Sequence, residues 1–260
     1  MGRMENKFEI AKDWLPRYTG MPLEKFGHHI LLTNFSDYVE NFSNKFNSEI
    51  YGEKRPMQAS TNSNGLTIIN YGIGSPNAAT IMDLLIAVKP SGVLFLGKCG
   101  GLKEASEIGN FILPIAAIRG EGTTNDYFPP EVPALPSFKL HKFVSEKIKE
   151  AGEDYRTGVI FTTNRRLWEH DKTFLKRLKK STAIGIDMEV ATIFIGGHYN
   201  EIARGALLLV SDVPTTPEGV KTQESDKKVT SEWAEKHLDI GIKSMTEIEK
   251  SGERIKHFRY

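Results

Sequence analysis

Apolar residues along this chain come in short runs that end in glycine-rich or polar turns, with longer amphipathic stretches between them. HHILLTN, GLTIINYGIG, GVLFLGKCGGL, GNFILPIAAIRG, YRTGVIFTTN and ARGALLLVSDVP read as strands or strand ends. ATIMDLLIAVKP, which follows Pro76, repeats its apolar positions at three- and four-residue spacing, as do SFKLHKFVSEKIKEAGE and EVATIFIGGHYNEIA, and these predict helices. Strands alternating with helices predict an α/β fold whose mixed or mostly parallel sheet is covered on both faces. Ligands of such sheets collect at the carboxyl ends of the strands. Five turns lie at those ends: GIGSPN, GKCGGL, RGEGTTNDYFP, FTTNRR and SDVPTTPEG. Each is either a plain tight turn or a place where glycine lets backbone N–H groups approach a base, sugar or phosphate. PPEVPALPS, residues 129–137, reads as a surface loop near the site. SGERIKHFRY reads as a basic helix end or tail.

With 260 residues and 39% hydrophobic content, one α/β domain over residues 1–260 is expected, roughly the first 25 residues forming an N-terminal extension. The 34 basic and 33 acidic residues leave a formal charge of +1, so nucleic acid is not an expected partner. A single cysteine excludes an intrachain disulfide framework. No apolar run approaches ~18 residues and the start is not signal-like, which predicts a soluble cytoplasmic protein without a membrane partner. Neither a metal nor a cofactor is expected.

Candidate chemistry sits in three segments. In IGIDMEVATIF, residues 184–194, an apolar strand runs into Asp187, Met188 and Glu189 and then into a helical pattern. Glu189 is either a helix N-terminal acid facing the macrodipole or a carboxylate whose two oxygens accept from a vicinal diol such as ribose O2′ and O3′. In ALLLVSDVP, residues 206–214, a wholly buried strand ends at Asp212. That aspartate either caps the turn at Pro214 or is a proton donor, because burial favours the neutral acid. In GVLFLGKCGGL, residues 92–102, glycines flank Lys98 and Cys99, with a spacing that fits neither the dinucleotide fingerprint nor a P-loop. Cys99 has no histidine beside it in sequence and reads as a packing residue.

These segments, in this order from about Leu31 to Asp226, resemble the nucleoside phosphorylase family of purine and uridine phosphorylases and nucleosidases. GIGSP at 72–76 is similar to the family's glycine-rich turn and GKCGGL at 97–102 to its glycine loop. DMEVATIF at 187–194 is similar to its most specific signature, SDVP at 211–214 to the end of the strand bearing its catalytic aspartate, and FTTN at 161–164 to the segment with its base-stacking aromatic. The resemblance implies a single-domain, phosphorylase-like α/β/α sandwich with a central mixed β-sheet. It implies that Asp212 protonates purine N7, Glu189 holds the ribose hydroxyls, Met188 packs on the sugar, Phe161 lies on the base, and Gly100 with Cys99 approaches it. It also implies homo-oligomers, dimers assembled into hexamers.

The departures redirect the expected reaction. Phosphorylases of this family carry an arginine for the attacking phosphate after the first strand, where this chain has LLTNFSDYVE and no arginine. Basic residues near other strand ends, Lys98, Arg119, Arg165 and Arg166, are either solvated surface charges or a cluster for a phosphate carried by the substrate. The combination resembles the nucleotide-cleaving hydrolases of the family and implies cleavage of the N-glycosidic bond of AMP to adenine and ribose 5-phosphate, a step in purine salvage. Phosphorolysis of a purine or uridine nucleoside and non-catalytic nucleotide binding are the alternatives. Glu189, Glu121 and Asp187 are the candidates for activating water.

Overall fold

The computed structural model describes residues 6–216, 219 and 223–252, with backbone alone for 223–228, 230 and 231. The first five residues of the expected extension, part of the SDVPTTPEG turn and residues 253–260 of the expected basic tail lie outside the described residues.

Strand β5 (Gly92–Gly101) organises the sheet, and its neighbours change along its length. On one edge it pairs in parallel with β1 (His29–Thr33) from Gly92 to Leu96, and antiparallel with β8 (Gly185–Asp187) only at Gly100 and Gly101. On the other edge it pairs in parallel with β9 (Arg204–Asp212). Beyond β1 an open wing continues through β4 (Leu66–Asn70), β3 (Gln58–Thr61) and β2 (Ile50–Tyr51). Beyond β8 the sheet continues through β7 (Tyr155–Thr163) and β6 (Phe111–Gly120), and β6 returns to β9, so five strands close a ring. The mixed central sheet is as expected; its closure on one side is not readable from single strands. Gly97, Lys98 and Cys99 fall between the β1 and β8 registers, where the two neighbours diverge. This is a switch point of the kind where α/β sheets bind ligands.

Helices cover both faces. Alternate residues of the central strands feed opposite layers: Ile30, Leu32, Val93 and Phe95 enter one core with α1 (Lys7–Thr19), α3 (Ser75–Leu84) and α6 (Val190–Tyr199). Leu31, Leu94, Leu96, Leu207 and Leu209 enter the other with α2 (Ser36–Phe46), α4 (Phe138–Glu150) and α7 (Gln223–Ser251). Burying apolar groups on both sides explains why these strands are continuous hydrophobic runs rather than alternating ones. A smaller cluster of Phe161, Trp168, Leu178, Ala183 and Ile186 lies under α5 (Lys172–Ser181). Asp171 starts that helix by accepting the N–H groups of Thr173 and Phe174.

Candidate active site

Two local devices set the acids at the sheet's edge. At β8, Asp187 is buried and accepts from Thr162 Oγ1 at 2.6 Å, Glu189 N at 2.8 Å and Val190 N at 2.6 Å. It therefore satisfies the first amides of α6, which relieves Glu189 of the helix-start role that the sequence left open. Glu189, 2% exposed, accepts from Gly74 N at 2.8 Å and Met188 N at 3.3 Å, and the Asn34 side chain hydrogen-bonds it as well. Gly74 can donate because the GIGSP turn runs through positive φ at Gly72 and Gly74, and Ser75 Oγ ties that turn to Met188 O at 2.7 Å. Burial raises the carboxyls of both Asp187 and Glu189 above the ordinary range; the charge of Asp187 adds to the rise at Glu189, and that of Glu121 to the rise at Asp187.

At β9 the register with β5 skips a residue: Cys99 faces Val210 and Gly100 faces Asp212, so Ser211 is the extra residue of a bulge. A bulge re-aims side chains at the end of a strand. Ser211 Oγ donates to Asp212 Oδ1 at 2.7 Å. Gly100 lies close under the following turn, where an added Cβ would meet Pro214 Cγ at 3.0 Å and Ile186 Cγ2 at 3.2 Å. Its lack of a side chain is thus already required by the packing of the SDVP turn.

One cavity gathers these groups. Its lining includes Lys98, Cys99 and Gly100 of β5, Met188 and Glu189, Asp212, and Arg165 and Arg166 of the β7–α5 loop. Eight of the ten candidates named from sequence line it. Four of the five glycine-rich or polar turns reach it, and the fifth, RGEGTTNDYFP, does not. Lys98 Nζ lies 4.4 Å from the Phe35 ring centroid. Arg165 Nη1 donates to Asp171 at 2.8 Å and Arg166 Nη1 lies 3.6 Å from Glu169, both side chains about half exposed. Burial and the charges of Asp187 and Asp212 hold the Cys99 thiol well above its ordinary pKa, which removes it as a nucleophile.

Two candidates are placed elsewhere. Phe161 is buried in the α5 cluster, edge-to-face with Phe174 at 5.7 Å, and is not a lining residue. Its ring packs where a Cβ on Gly120 would sit, inside the strand layer and away from the cavity. Arg119 is a clasp: its guanidinium donates to the carbonyls of Thr124, Phe128 and Val132, and to Thr124 Oγ1. Residues 129–137, expected near the site, are held by that clasp and by the Ala117–Ala134 bridge, and none of them lines the cavity. Glu121 accepts from Thr124 N and Oγ1 and also stays outside the lining. Of the three candidates for activating water, Asp187 and Glu189 line the cavity, each already accepting from three donors, and Glu121 does not.

The sequence reading did not nominate Asn34, Phe35, Trp168 or Glu169, all of which line the cavity. Trp168 was the detectable one: a tryptophan in a polar turn, RRLWEH, is out of place unless it covers something apolar. Among the described residues, no group of three or more His, Cys, Asp or Glu side chains has metal-binding geometry. No helix there is long and apolar enough to cross a membrane.

The fold and this arrangement of acids define the class: residues 28–246 match the model of the Phosphorylase superfamily, and the chain belongs to that family. Its relatives in the family include AMP nucleosidases and nucleoside phosphorylases. AMP nucleosidase from Escherichia coli K12 is 30% identical over 95% of this chain and 60% of its own length, so the chain spans about three fifths of that curated relative. A crystal structure of AMP nucleosidase from Bacteroides thetaiotaomicron VPI-5482 superposes with a TM-score of 0.84 at 48% identity, covering 95% of this chain and 100% of that one. Uridine phosphorylase from Vibrio fischeri ES114 shares the fold, with a TM-score of 0.77 at 20% identity over 86% of this chain and 94% of that one.

Proposed function

We propose that this chain hydrolyses the N-glycosidic bond of AMP to adenine and ribose 5-phosphate, acting in the cytoplasm in purine salvage as a homo-oligomer, a hexamer built of dimers. The observation that carries the reading is the composition of the cavity. Glu189 and Asp212 share it with Lys98, Arg165 and Arg166, while the end of β1 contributes Asn34 and Phe35 and no arginine for an attacking phosphate. The likeness to AMP nucleosidases supports the same choice.

In this mechanism Glu189 grips O2′ and O3′ with the lone pairs that Gly74 and Met188 leave open, and Met188 packs on the sugar. Asp212 delivers a proton to N7, so that adenine leaves as a neutral base when the C1′–N9 bond breaks. The fixed carboxylate beside the sugar stabilises the developing oxocarbenium ion, and Trp168, in place of Phe161, flanks the base. Lys98 and Arg165 bind the 5′-phosphate. Water attacks C1′ and leaves its oxygen there, and the proton it gives up restores Asp212 through solvent. Adenine release from AMP in phosphate-free buffer tests the reading. Full release without phosphate supports hydrolysis, and absolute dependence on phosphate supports the phosphorylase alternative. Tight AMP binding without release supports the non-catalytic one.

A further inference from the structure

Four carboxylates line the cavity, and three have roles: Asp187 starts α6, Glu189 holds the sugar and Asp212 protonates the base. Glu169 has none. Its side chain is only 17% exposed. Oε2 accepts from Trp168 N at 2.9 Å, which pins the carboxylate beside the aromatic ring that flanks the base. Oε1 has no hydrogen bond among the described residues, only the Arg166 guanidinium at 3.6 Å. The carboxylate is thus held in place with acceptor capacity left over, at the end of the cavity where Trp168 sits.

Adenine and hypoxanthine differ at C6. Adenine presents an amino group with two hydrogens, whereas hypoxanthine and guanine present a carbonyl oxygen. The amino group lies on the same edge of the purine as N7. With Asp212 at N7, one amino hydrogen turns toward Asp212 and the other toward N1, where it needs an acceptor. An ionised carboxylate accepts and cannot donate, so an oxygen in line with the 6-substituent, out of reach of the N1–H that hypoxanthine carries, pairs with an amino group and repels a carbonyl.

We infer that Glu169 is the specificity residue for the base, its Oε1 accepting a hydrogen bond from the 6-amino group and thereby rejecting 6-oxopurine nucleotides. The inference rests on the AMP reading and adds to it the group that chooses adenine. A site built around one polar contact rejects a substrate lacking it by orders of magnitude, because the protein group is then left facing a mismatched partner.

The test is kcat/KM for AMP and for IMP in wild type, Glu169→Gln and Glu169→Ala, with Kd for both nucleotides measured by calorimetry and Tm recorded for each protein. Wild type is expected to favour AMP by about a hundredfold or more. Gln keeps the shape and can turn its amide N–H toward a carbonyl, so Glu169→Gln should lower the AMP:IMP ratio at least about tenfold, partly by improving IMP. Glu169→Ala should lower the ratio by losing AMP. Equal loss on both substrates in both variants would overturn the inference, since a carboxylate that only shapes the loop affects every nucleotide alike. A wild type with no preference between the two would overturn it as well. If wild type releases no base from AMP, the proposed function fails separately, and the ratio of the two dissociation constants still decides the role of Glu169.

Discussion

The turn after β6 and the turn after β8 each place an acid at a strand end, Glu121 and Glu189, yet the first closes on itself as a clasp and the second lines the cavity. In the β6 turn every strong group is consumed locally. Arg119 is wrapped by backbone carbonyls, and Glu121 is held by Thr124. In the β8 turn Asp187, with Thr162 at Ala191 N, holds the start of α6, so Glu189 two residues on keeps acceptor capacity facing the cavity. The difference lies in which polar groups still have partners to gain, and that depends on where the sheet opens. On the edge away from β9, β5 has no strand neighbour at Gly97–Cys99, beside the β8 turn and not beside the β6 turn.

The comparison is broken most severely at Asp212. Asp212→Asn should leave AMP affinity within a fewfold and lower turnover by roughly two to four orders of magnitude, the range of a general acid. Near wild-type turnover in a folded variant would remove the assignment. Glu189→Gln keeps the shape but weakens the grip on the diol, so kcat and affinity should both fall, and 2′-deoxy-AMP should be a poor substrate of the wild-type protein. Equal kcat/KM for AMP and 2′-deoxy-AMP would contradict the diol role.

Smaller effects separate the basic residues. Lys98→Ala or Arg165→Ala should cut kcat/KM for AMP by about tenfold or more while changing adenosine little, since a charge-assisted hydrogen bond contributes roughly 1.5 to 3 kcal/mol. Selectivity that survives both substitutions would place the phosphate elsewhere. Arg119→Ala should do the reverse. Orphaning several carbonyls at ~1–3 kcal/mol each lowers Tm by several degrees, with the AMP:adenosine ratio untouched.

The smallest effect is a pH dependence away from both turns. His141 and His237 are buried neutral imidazoles, held by Ala206 N–H and by Tyr38 with Leu207 O, and burial lowers each to about 3 from 6.5. A depressed folded-state pKa gives stability that is complete above the unfolded value of 6.5 and is lost as pH falls toward 3. Near pH 5 the loss is on the order of 2 kcal/mol per histidine. Asp187 and Glu189, raised by burial, pull the other way, so the contribution is read as a difference. His141→Gln should lose less stability between about pH 7 and pH 5 than wild type, and identical curves would contradict it.

Much of this was legible in the chain. GVLFLGKCGGL and ARGALLLVSDVP are long apolar runs because both faces of β5 and β9 are covered, and Lys98 and Asp212 lie near their ends, lining the cavity. The α/β/α layering followed from the alternation of strands and helices. Ring closure through β6 and β9 was invisible, since it depends on pairings between distant strands. Phe161, expected against the base, and Trp168, not named from sequence, pack in one cluster seven residues apart, and of the two Trp168 lines the cavity. Arg119 and Arg165 could not be ranked, because a strand-end arginine carries no sign of what its guanidinium will touch. The helix α7 went unnamed although Val229, Ala234, Leu238 and Met245 repeat along one buried face.

The most direct test of the central claim, that the cavity where β5 passes from β1 to β8 cleaves a nucleotide with water, is kcat/KM of the wild-type protein for AMP and adenosine side by side in phosphate-free buffer. The account predicts phosphate-independent cleavage, with AMP favoured by about a hundredfold or more from the charged contacts to its 5′-phosphate. Adenosine cleaved as efficiently as AMP, or no release of adenine from either until inorganic phosphate is added, would contradict it.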